Sequence, residues 1–242
     1  MRGGPRRWAR NLPAPHHAGS EDASFAGGTP AGDGWWAAVA DGVGASPGGR
    51  EASAAAVAEV ERWLGHAAPD GPGLEELFRG VCRRLAAIER SEPALQGLAT
   101  TLTVLADGPS GLWVAHLGDS RAYRCGVQGV RRLTSDHRVD SGAQSFLTRA
   151  VTAAGAHRPQ VAGSARPAAG EWFLLCTDGV WSACAPEALD RALAGGPGTA
   201  AAFLDALAES RRDDFCCVLL EIPGTPTEPG PDGRRAPTRP LA

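Results

Sequence analysis

The spacing of apolar and polar positions predicts helices and strands that occur in groups along the chain. Residues 73–90 repeat apolar side chains every three or four positions, as an amphipathic helix does, and the alanine-rich, proline-free run 48–67 also favours a helix. Shorter helices are predicted at 185–195 and 198–211. Strands are predicted at 37–41, 98–107, 171–179 and 213–222, with further strands over 111–134 that turn near 126–129. Paired helices between groups of strands indicate an α+β fold.

Acidic side chains follow the ends of these predicted strands. Asp41 ends the apolar part of "AAVADGVGASPGG" (37–49) and Asp178 ends that of "EWFLLCTDG" (171–179), and each is followed by glycine. The other carboxylates near predicted strand ends are Glu21, Asp22, Asp119, Asp213 and Asp214. If the strand ends meet at one edge, two carboxylates about 4 Å apart repel by roughly 4 kcal/mol at an effective dielectric constant near 20. Such a cluster requires cations, and oxygen ligands suit Mg²⁺ or Mn²⁺.

Turn formation is the alternative explanation for an Asp-Gly pair, since turns prefer both residues. Asp70-Gly71 and Asp107-Gly108 are interpreted as turns of this kind. Asp41 and Asp178 differ because each directly follows a buried apolar run. Gly42 would also let its backbone approach an ion closely and offer its carbonyl oxygen.

The amino-acid composition excludes several classes of reaction and binding. The 242-residue chain has a formal net charge of −3, which does not favour nucleic-acid binding, and all 24 of its basic residues are arginine. Without lysine, a P-loop, a kinase-type lysine and Schiff-base chemistry are excluded. No apolar run approaches the ~20 residues of a membrane span. The six cysteines form no C-x-x-C pair, and a reduced, cytoplasmic protein is expected.

The chain is expected to fold as one domain over residues 12–223. Residues 1–11 are expected to form a mobile N-terminal arm. Residues 224–242 are rich in proline and glycine with almost nothing to bury, so a disordered C-terminal tail is expected.

Seven short segments follow one another in a specific order. They are "SEDAS", "VADGVGASPGGREAS", "ATTLTVLA", "AHLGDSRAYR", "LTSDH", "LLCTDGVW" and "RDDFCCVLLE". Together they resemble the protein phosphatase 2C family of metal-dependent serine/threonine phosphatases, in its bacterial form, over about residues 15–223. The resemblance implies a β-sandwich of two antiparallel sheets flanked by helix pairs, with a two-metal centre at one end.

The resemblance also implies roles for individual residues. Asp41 matches the aspartate that bridges both metal ions, and Gly42 matches the glycine whose carbonyl binds one of them. Asp178 and Asp213 match the other principal ligands, and these three aspartates are the expected catalytic residues. The metal-ligand set implied is Glu21, Asp22, Asp41, Gly42, Asp119, Asp178 and Asp213. Within it, Asp119 matches the ligand of a third, weaker metal ion.

The function implied is that of a metal-dependent protein serine/threonine phosphatase. It would hydrolyse phosphomonoesters through a metal-activated water held by two Mn²⁺ or Mg²⁺ ions. The substrate would be a phosphoserine or phosphothreonine protein, so that the enzyme opposes a kinase in signalling. The alternative is a catalytically weak or inert phosphatase-like domain that binds phosphoprotein as a regulatory module.

Two departures from the family pattern bear on this alternative. His17 stands four residues before Glu21, where the family usually has an arginine that grips the phosphate. We therefore take His17 as the candidate phosphate-binding residue; otherwise His17 faces solvent and Arg10 or Arg149 supplies that contact. The segment 138–146, beside the expected active site, is also shorter than the family's flap. The short flap leaves substrate selection and the third metal site open.

Overall fold

The computed structural model describes residues 5–29, 32–66, 69–141 and 144–223. The strands are β1 (Arg6–Leu12), β2 (Asp22–Gly28), β3 (Trp35–Asp41), β4 (Ala99–Thr100), β5 (Leu102–Gly108), β6 (Gly111–Leu117), β7 (Arg121–Gly126), β8 (Gly129–Arg132), β9 (Arg138–Ser141), β10 (Gln144–Leu147), β11 (Val151–Thr152), β12 (Gln160–Ser164), β13 (Trp172–Cys176) and β14 (Phe215–Glu221). The helices are α1 (Gly49–Leu64), α2 (Gly71–Ser91), α3 (Asp178–Trp181), α4 (Pro186–Ala194) and α5 (Pro197–Glu209).

Two five-stranded antiparallel sheets form the centre of the molecule. One has the strand order β1-β14-β13-β7-β8 and the other has the order β12-β6-β5-β3-β2. Two smaller pairs, β9 with β10 and β4 with β11, lie outside these sheets. The predicted α+β sandwich is therefore confirmed.

Strand alternation divides each sheet between two cores. On β3, Trp35, Ala37 and Val39 face the other sheet and share a core with Phe173 and Leu175 of β13. The intervening residues of β3 pack against α1 and α2, while those of β13 pack against α4 and α5. Because side chains in a strand point to alternate faces, one short run of sequence serves the sandwich and a helical layer at once.

The predicted mobile N-terminal arm is wrong for its described part. Residues 6–12 form β1 and pair along their whole length with β14, from Arg6 opposite Glu221 to Leu12 opposite Phe215. Backbone hydrogen bonds to a buried neighbour hold such an edge strand, and its own composition does not reveal them. Residues 1–4 and the predicted tail at 224–242 lie outside the described residues.

Helices over the described ranges are too short or too polar to cross a membrane.

Candidate active site

One end of the sandwich opens into a cleft of about 570 Å³. Its lining includes His17, Glu21, Asp22, Asp41, Gly42, Asp119, Asp178 and Asp213, which are all the site residues predicted from the sequence. Asp22 begins β2, Asp41 ends β3, and Asp178 follows β13, so neighbouring strand ends deliver these carboxylates to one place. Asp70 and Asp107, interpreted above as turn residues, are not among the described residues that line the cleft.

The backbone of Asp41 is fixed by hydrogen bonds to two adjacent threonines. Asp41 N–H donates to Thr101 Oγ1 at 3.0 Å, and Asp41 C=O accepts from Thr101 N–H at 2.8 Å and Thr100 Oγ1 at 2.9 Å. Both threonines are fully buried. They set the position of the aspartate at the cleft without facing the cleft themselves.

Asp22 is tied to the opposite sheet. Its Oδ2 accepts a hydrogen bond from Thr177 Oγ1 at 2.8 Å, and Thr177 directly precedes Asp178. Asp22 is only 5% exposed. Burial raises the pKa of Asp22 well above its ordinary value, while the Thr177 hydrogen bond acts against that rise. This contact joins the two sheets directly beneath the carboxylates.

The glycines after Asp41 and Asp178 allow two segments of backbone to approach closely. A Cβ on Gly42 would lie 2.2 Å from the carbonyl oxygen of Gly49 at the start of α1. A Cβ on Gly179 would lie 1.8 Å from the carbonyl oxygen of Asp214. Neither carbonyl can move like the end of a flexible side chain, so both positions require glycine for packing.

Burial and mutual repulsion raise the pKa of Asp41, Asp119 and Asp178 in the cleft. Burial is the main cause for Asp41, whose pKa lies well above its ordinary value, and neighbouring carboxylates add to the effect. Burial and the charge of Asp213 raise the pKa of Asp178. Burial, with the charge of Asp178, raises the pKa of Asp119 to about 7, against the lowering influence of Arg138. Cations in the cleft would relieve this repulsion.

The donor set fits hard divalent cations, because the predicted ligands offer only carboxylate and carbonyl oxygens. Across the described ranges, no three His, Cys, Asp or Glu side chains already stand in the arrangement of a closed metal site. The carboxylates share one cleft.

Asp214 has a structural role that the sequence pattern did not assign. Its Oδ1 accepts from Ala14 N–H at 2.6 Å and lies 2.9 Å from Nδ1 of His17, while its Oδ2 accepts from Glu21 N–H at 2.5 Å. Burial raises the pKa of Asp214, but these hydrogen bonds outweigh it and hold the pKa below its ordinary value. The carboxylate therefore anchors residues 14–21 at the edge of the cleft.

The described cleft lining includes one arginine, Arg138, which the sequence analysis did not select. Arg138 is the first residue of β9, and β9 and β10 form a short hairpin in the place of the flap. Arg10 instead pairs with Asp205 at 2.7 Å, and Arg149 is exposed away from the cleft lining. Arg10 and Arg149 were the alternatives to His17 as the phosphate contact, and neither lies in the described cleft lining.

The strand cysteines lie in the core. Cys176, Cys216 and Cys217 are fully buried free thiols. Burial raises the pKa of Cys217 to about 12 and raises the pKa of the other two well above the ordinary thiol value. These thiols remain protonated at neutral pH and do not line the cleft.

Comparison with known proteins identifies the family. The sequence pattern described as Protein phosphatase 2C matches residues 17–214. The chain belongs to the protein phosphatase 2C family. The bacterial membership predicted from the seven segments agrees with a relative from Mycobacterium tuberculosis, serine/threonine protein phosphatase PstP, which is 30% identical over 199 residues. That alignment covers 73% of this chain and 36% of the relative, so the chain spans about a third of that protein's length.

Solved structures of the family share the fold. The catalytic domain of serine threonine protein phosphatase PstP, in complex with 2 manganese ions, has a TM-score of 0.74 and 26% identity, covering 90% of this chain and 97% of that one. The PPM Ser-Thr phosphatase MsPP from Mycobacterium smegmatis, in complex with cacodylate, has a TM-score of 0.72 and 28% identity, covering 90% and 98%.

Proposed function

We propose that this chain is a metal-dependent protein serine/threonine phosphatase that hydrolyses phosphomonoesters with an activated water. The observation that carries the proposal is the gathering of every predicted ligand carboxylate in one cleft of a family member. When bound, two divalent cations supply a nucleophilic water of lowered pKa and offset negative charge on the phosphate. The manganese-bound structure of PstP supports Mn²⁺, and the oxygen ligands also suit Mg²⁺.

The proposed ligands reach the cations from both sheets. Asp41 and Gly42 extend from β3, and Asp178 extends from the end of β13. Asp213 lies on the loop before β14, and Glu21 immediately precedes β2. Asp22, bound to Thr177, contributes buried charge beside them. Asp41 would hold the cations in the role that the family resemblance gives it, with its backbone fixed by Thr100 and Thr101.

His17 is proposed to bind the phosphate of the substrate. The carboxylate of Asp214 accepts from Nδ1, which fixes the ring and leaves Nε2 as the nitrogen for the ligand. With Nδ1–H donating to Asp214, Nε2 offers one N–H donor only when the imidazole is protonated, whereas arginine offers a planar, permanently charged fork with two parallel donors. We therefore expect weaker phosphate binding here than with arginine at the same position.

The substrate class proposed is phosphoserine or phosphothreonine in a protein, formed by an opposing kinase. The family relationship supports this class. A cytoplasmic location is proposed from the free cysteines, since such thiols persist in reducing compartments.

A phosphatase assay with and without divalent cations tests the proposal. The purified chain would be stripped with EDTA and assayed on p-nitrophenyl phosphate and on a phosphothreonine peptide. We expect no turnover in EDTA, recovery on addition of Mn²⁺ or Mg²⁺, and no recovery with the same concentration of Na⁺. Undiminished turnover in excess chelator would contradict the metal-dependent reaction.

Two further arms of the assay separate the competing outcomes. Cys217→Ala should keep its metal-dependent turnover, whereas selective loss of rate in a folded variant would indicate a thiol nucleophile. Tight binding of the phosphopeptide in Mn²⁺ without release of phosphate would instead identify an inert, phosphoprotein-binding module.

A further inference from the structure

Asp119 differs from the other predicted ligands because it already has a cationic partner. Nη1 of Arg138 lies 3.5 Å from Oδ2 of Asp119, and the side chain of Asp119 is 8% exposed. The family resemblance assigns this aspartate to a third, weaker metal ion. An arginine therefore stands where that ion's charge would be needed.

Arg138 is held in this position from several sides. Nη2 lies 3.2 Å from Oδ1 of Asp140, and the same carboxylate oxygen accepts from Ser145 Oγ across the hairpin at 2.7 Å. The guanidinium carbon also lies 5.0 Å from the ring centroid of Trp181, within the range of a cation–π interaction. These contacts connect the hairpin to the cleft through one side chain, which is only 22% exposed.

Trp181 is itself fixed relative to Asp119. Its Nε1–H donates to the carbonyl oxygen of Asp119 at 3.0 Å, and Arg121 covers the ring at 3.6 Å from the centroid. Arg121 in turn forms a two-pronged salt bridge with Asp136. The platform for Arg138 is thus assembled from buried and half-buried groups of the domain.

We propose that Arg138 replaces the third divalent ion, so that this chain holds two ions and neutralises Asp119 with its own flap hairpin. This inference rests on the proposed function. Arginine remains positively charged at every relevant pH, and its fixed charge beside Asp119 repels a divalent cation. The guanidinium also pairs with one of the two oxygens of the Asp119 carboxylate, Oδ2.

Counting bound Mn²⁺ tests the proposal without relying on turnover. Equilibrium dialysis with elemental analysis would be run over a range of free Mn²⁺ on the wild type, Arg138→Gln, Arg138→Lys and Arg132→Gln. Arg132 is the matched control, since it is a neighbouring arginine that pairs with Asp136 at 3.4 Å outside the described cleft lining. We expect two ions for the wild type, Arg138→Lys and Arg132→Gln, and a third, weaker ion for Arg138→Gln alone.

Variants of Asp119 provide a second test that does not depend on the folding of Arg138→Gln. Asp119→Asn in the wild-type background should leave the count at two, and in the Arg138→Gln background it should remove the third ion. Three ions in the wild type, equal counts in the wild type and Arg138→Gln, or loss of an ion from Asp119→Asn would each overturn the proposal. Two ions without phosphatase turnover would contradict the proposed function and leave this inference standing.

Discussion

Asp41 shows how a single residue can be positioned for function by groups that never meet the substrate. Thr101 binds both its N–H and its C=O and Thr100 also binds the C=O, while its carboxylate lines the cleft among other acids. The rise in its pKa records the cost of burying that charge. The residue is therefore favourable for binding cations and unfavourable for the stability of the metal-free fold.

Asp41→Asn should abolish turnover without unfolding the protein. We expect a loss of roughly 100-fold or more in kcat, because a ligand charge is removed. The Tm measured in EDTA should stay equal or rise, because repulsion among the carboxylates is relieved. Steady-state kinetics in Mn²⁺ and thermal melts in EDTA measure the two effects.

Asp70→Asn is the matched control, since Asp70 also precedes a glycine but caps α2 by accepting from Gly73 N–H at 2.7 Å. Asparagine caps a helix about as well as aspartate, so this variant should keep its rate and its Tm. Near-wild-type turnover in Asp41→Asn would show that the Asp41 carboxylate is not needed for the reaction and that the residue acts only through its backbone hydrogen bonds.

Gly42→Ala should destabilise the fold by about 1–3 kcal/mol, the usual cost of forcing an extra group into a packed interior. The added Cβ would meet the backbone of Gly49, which cannot rotate away. Gly198→Ala is the control, because a Cβ there meets nothing within 4 Å and lies in α5. Urea unfolding would compare both variants with the wild type. A Gly42→Ala variant as stable as the wild type would refute the packing role of Gly42.

The sequence could indicate the carboxylates but not all of their partners. Asp41 and Asp178 stand out because an apolar run ends on each of them, which is a local signal. Arg138 and Asp214 become functional only through contacts made across the fold, such as that between Asp214 and Ala14, 200 positions earlier. No spacing along the chain carries that information.

At the scale of elements, β1 shows where the hydrophobic pattern was insufficient. Its sequence, "RRWARNL", contains three arginines, and only Trp8 and Leu12 contribute apolar surface to the core. An edge strand is held largely by backbone hydrogen bonds, which any sequence can make. Strands β3, β5, β13 and β14 were predictable because both of their faces are buried, whereas β1 and the β9–β10 hairpin have no comparable signal.

Trp8→Ala should lower stability if β1 is a fixed edge strand. The half-buried indole packs against the core shared by β14, α4 and α5, and its loss should cost about 1–3 kcal/mol. That cost corresponds to a fall of about 2–12 °C in Tm for a domain of this size. Arg6→Ala is the control on the same strand, because the Arg6 side chain is 79% exposed and its contact with Glu221 is long, at 3.9 Å.

Thermal melts of both variants would distinguish the strand from a mobile arm. A mobile arm contributes no packing, so neither substitution would then change the Tm. An unchanged Tm for Trp8→Ala would therefore contradict the assignment of residues 6–12 to the sheet.

For the whole molecule, the sandwich brings distant acids together and buries neutral polar groups behind them. Thr177 and Asp22, which form the hydrogen bond between the sheets, are 155 positions apart. Behind the cleft, His116 is 1% exposed, with Nδ1 2.8 Å from Thr103 Oγ1 and Nε2 3.1 Å from the Ser135 carbonyl. The order of the elements predicted the α+β class and the family resemblance implied the sandwich, but this buried histidine could be recognised only from the folded chain.

His116 should make the stability of the protein depend on pH below about 6.5. Burial, and then the stacked ring of His137, lower the pKa of His116 to about 4, against opposing effects of the Ser135 carbonyl and Asp136. The unfolded chain takes up this proton near pH 6.5 and the folded chain only near pH 4, so the unfolded state binds more protons between them. The free energy of unfolding therefore rises with pH in this window and falls on acidification, by about 3 kcal/mol in total from this group.

Urea unfolding of the wild type, His116→Gln and His66→Gln in EDTA between pH 4 and pH 8 would isolate that contribution. The cleft carboxyls are present in all three proteins, so the difference between wild type and variant reports on one histidine. We expect His116→Gln to be less stable than the wild type at pH 8, with the gap closing or reversing as the pH falls through 6.5 towards 4. His66 is exposed, and its variant should follow the wild-type curve. The burial of His116 beside Thr103 and His137 is the reason to expect this difference. Parallel curves for the wild type and His116→Gln across the whole pH range would instead show that His116 binds its proton equally well in the folded and unfolded chain.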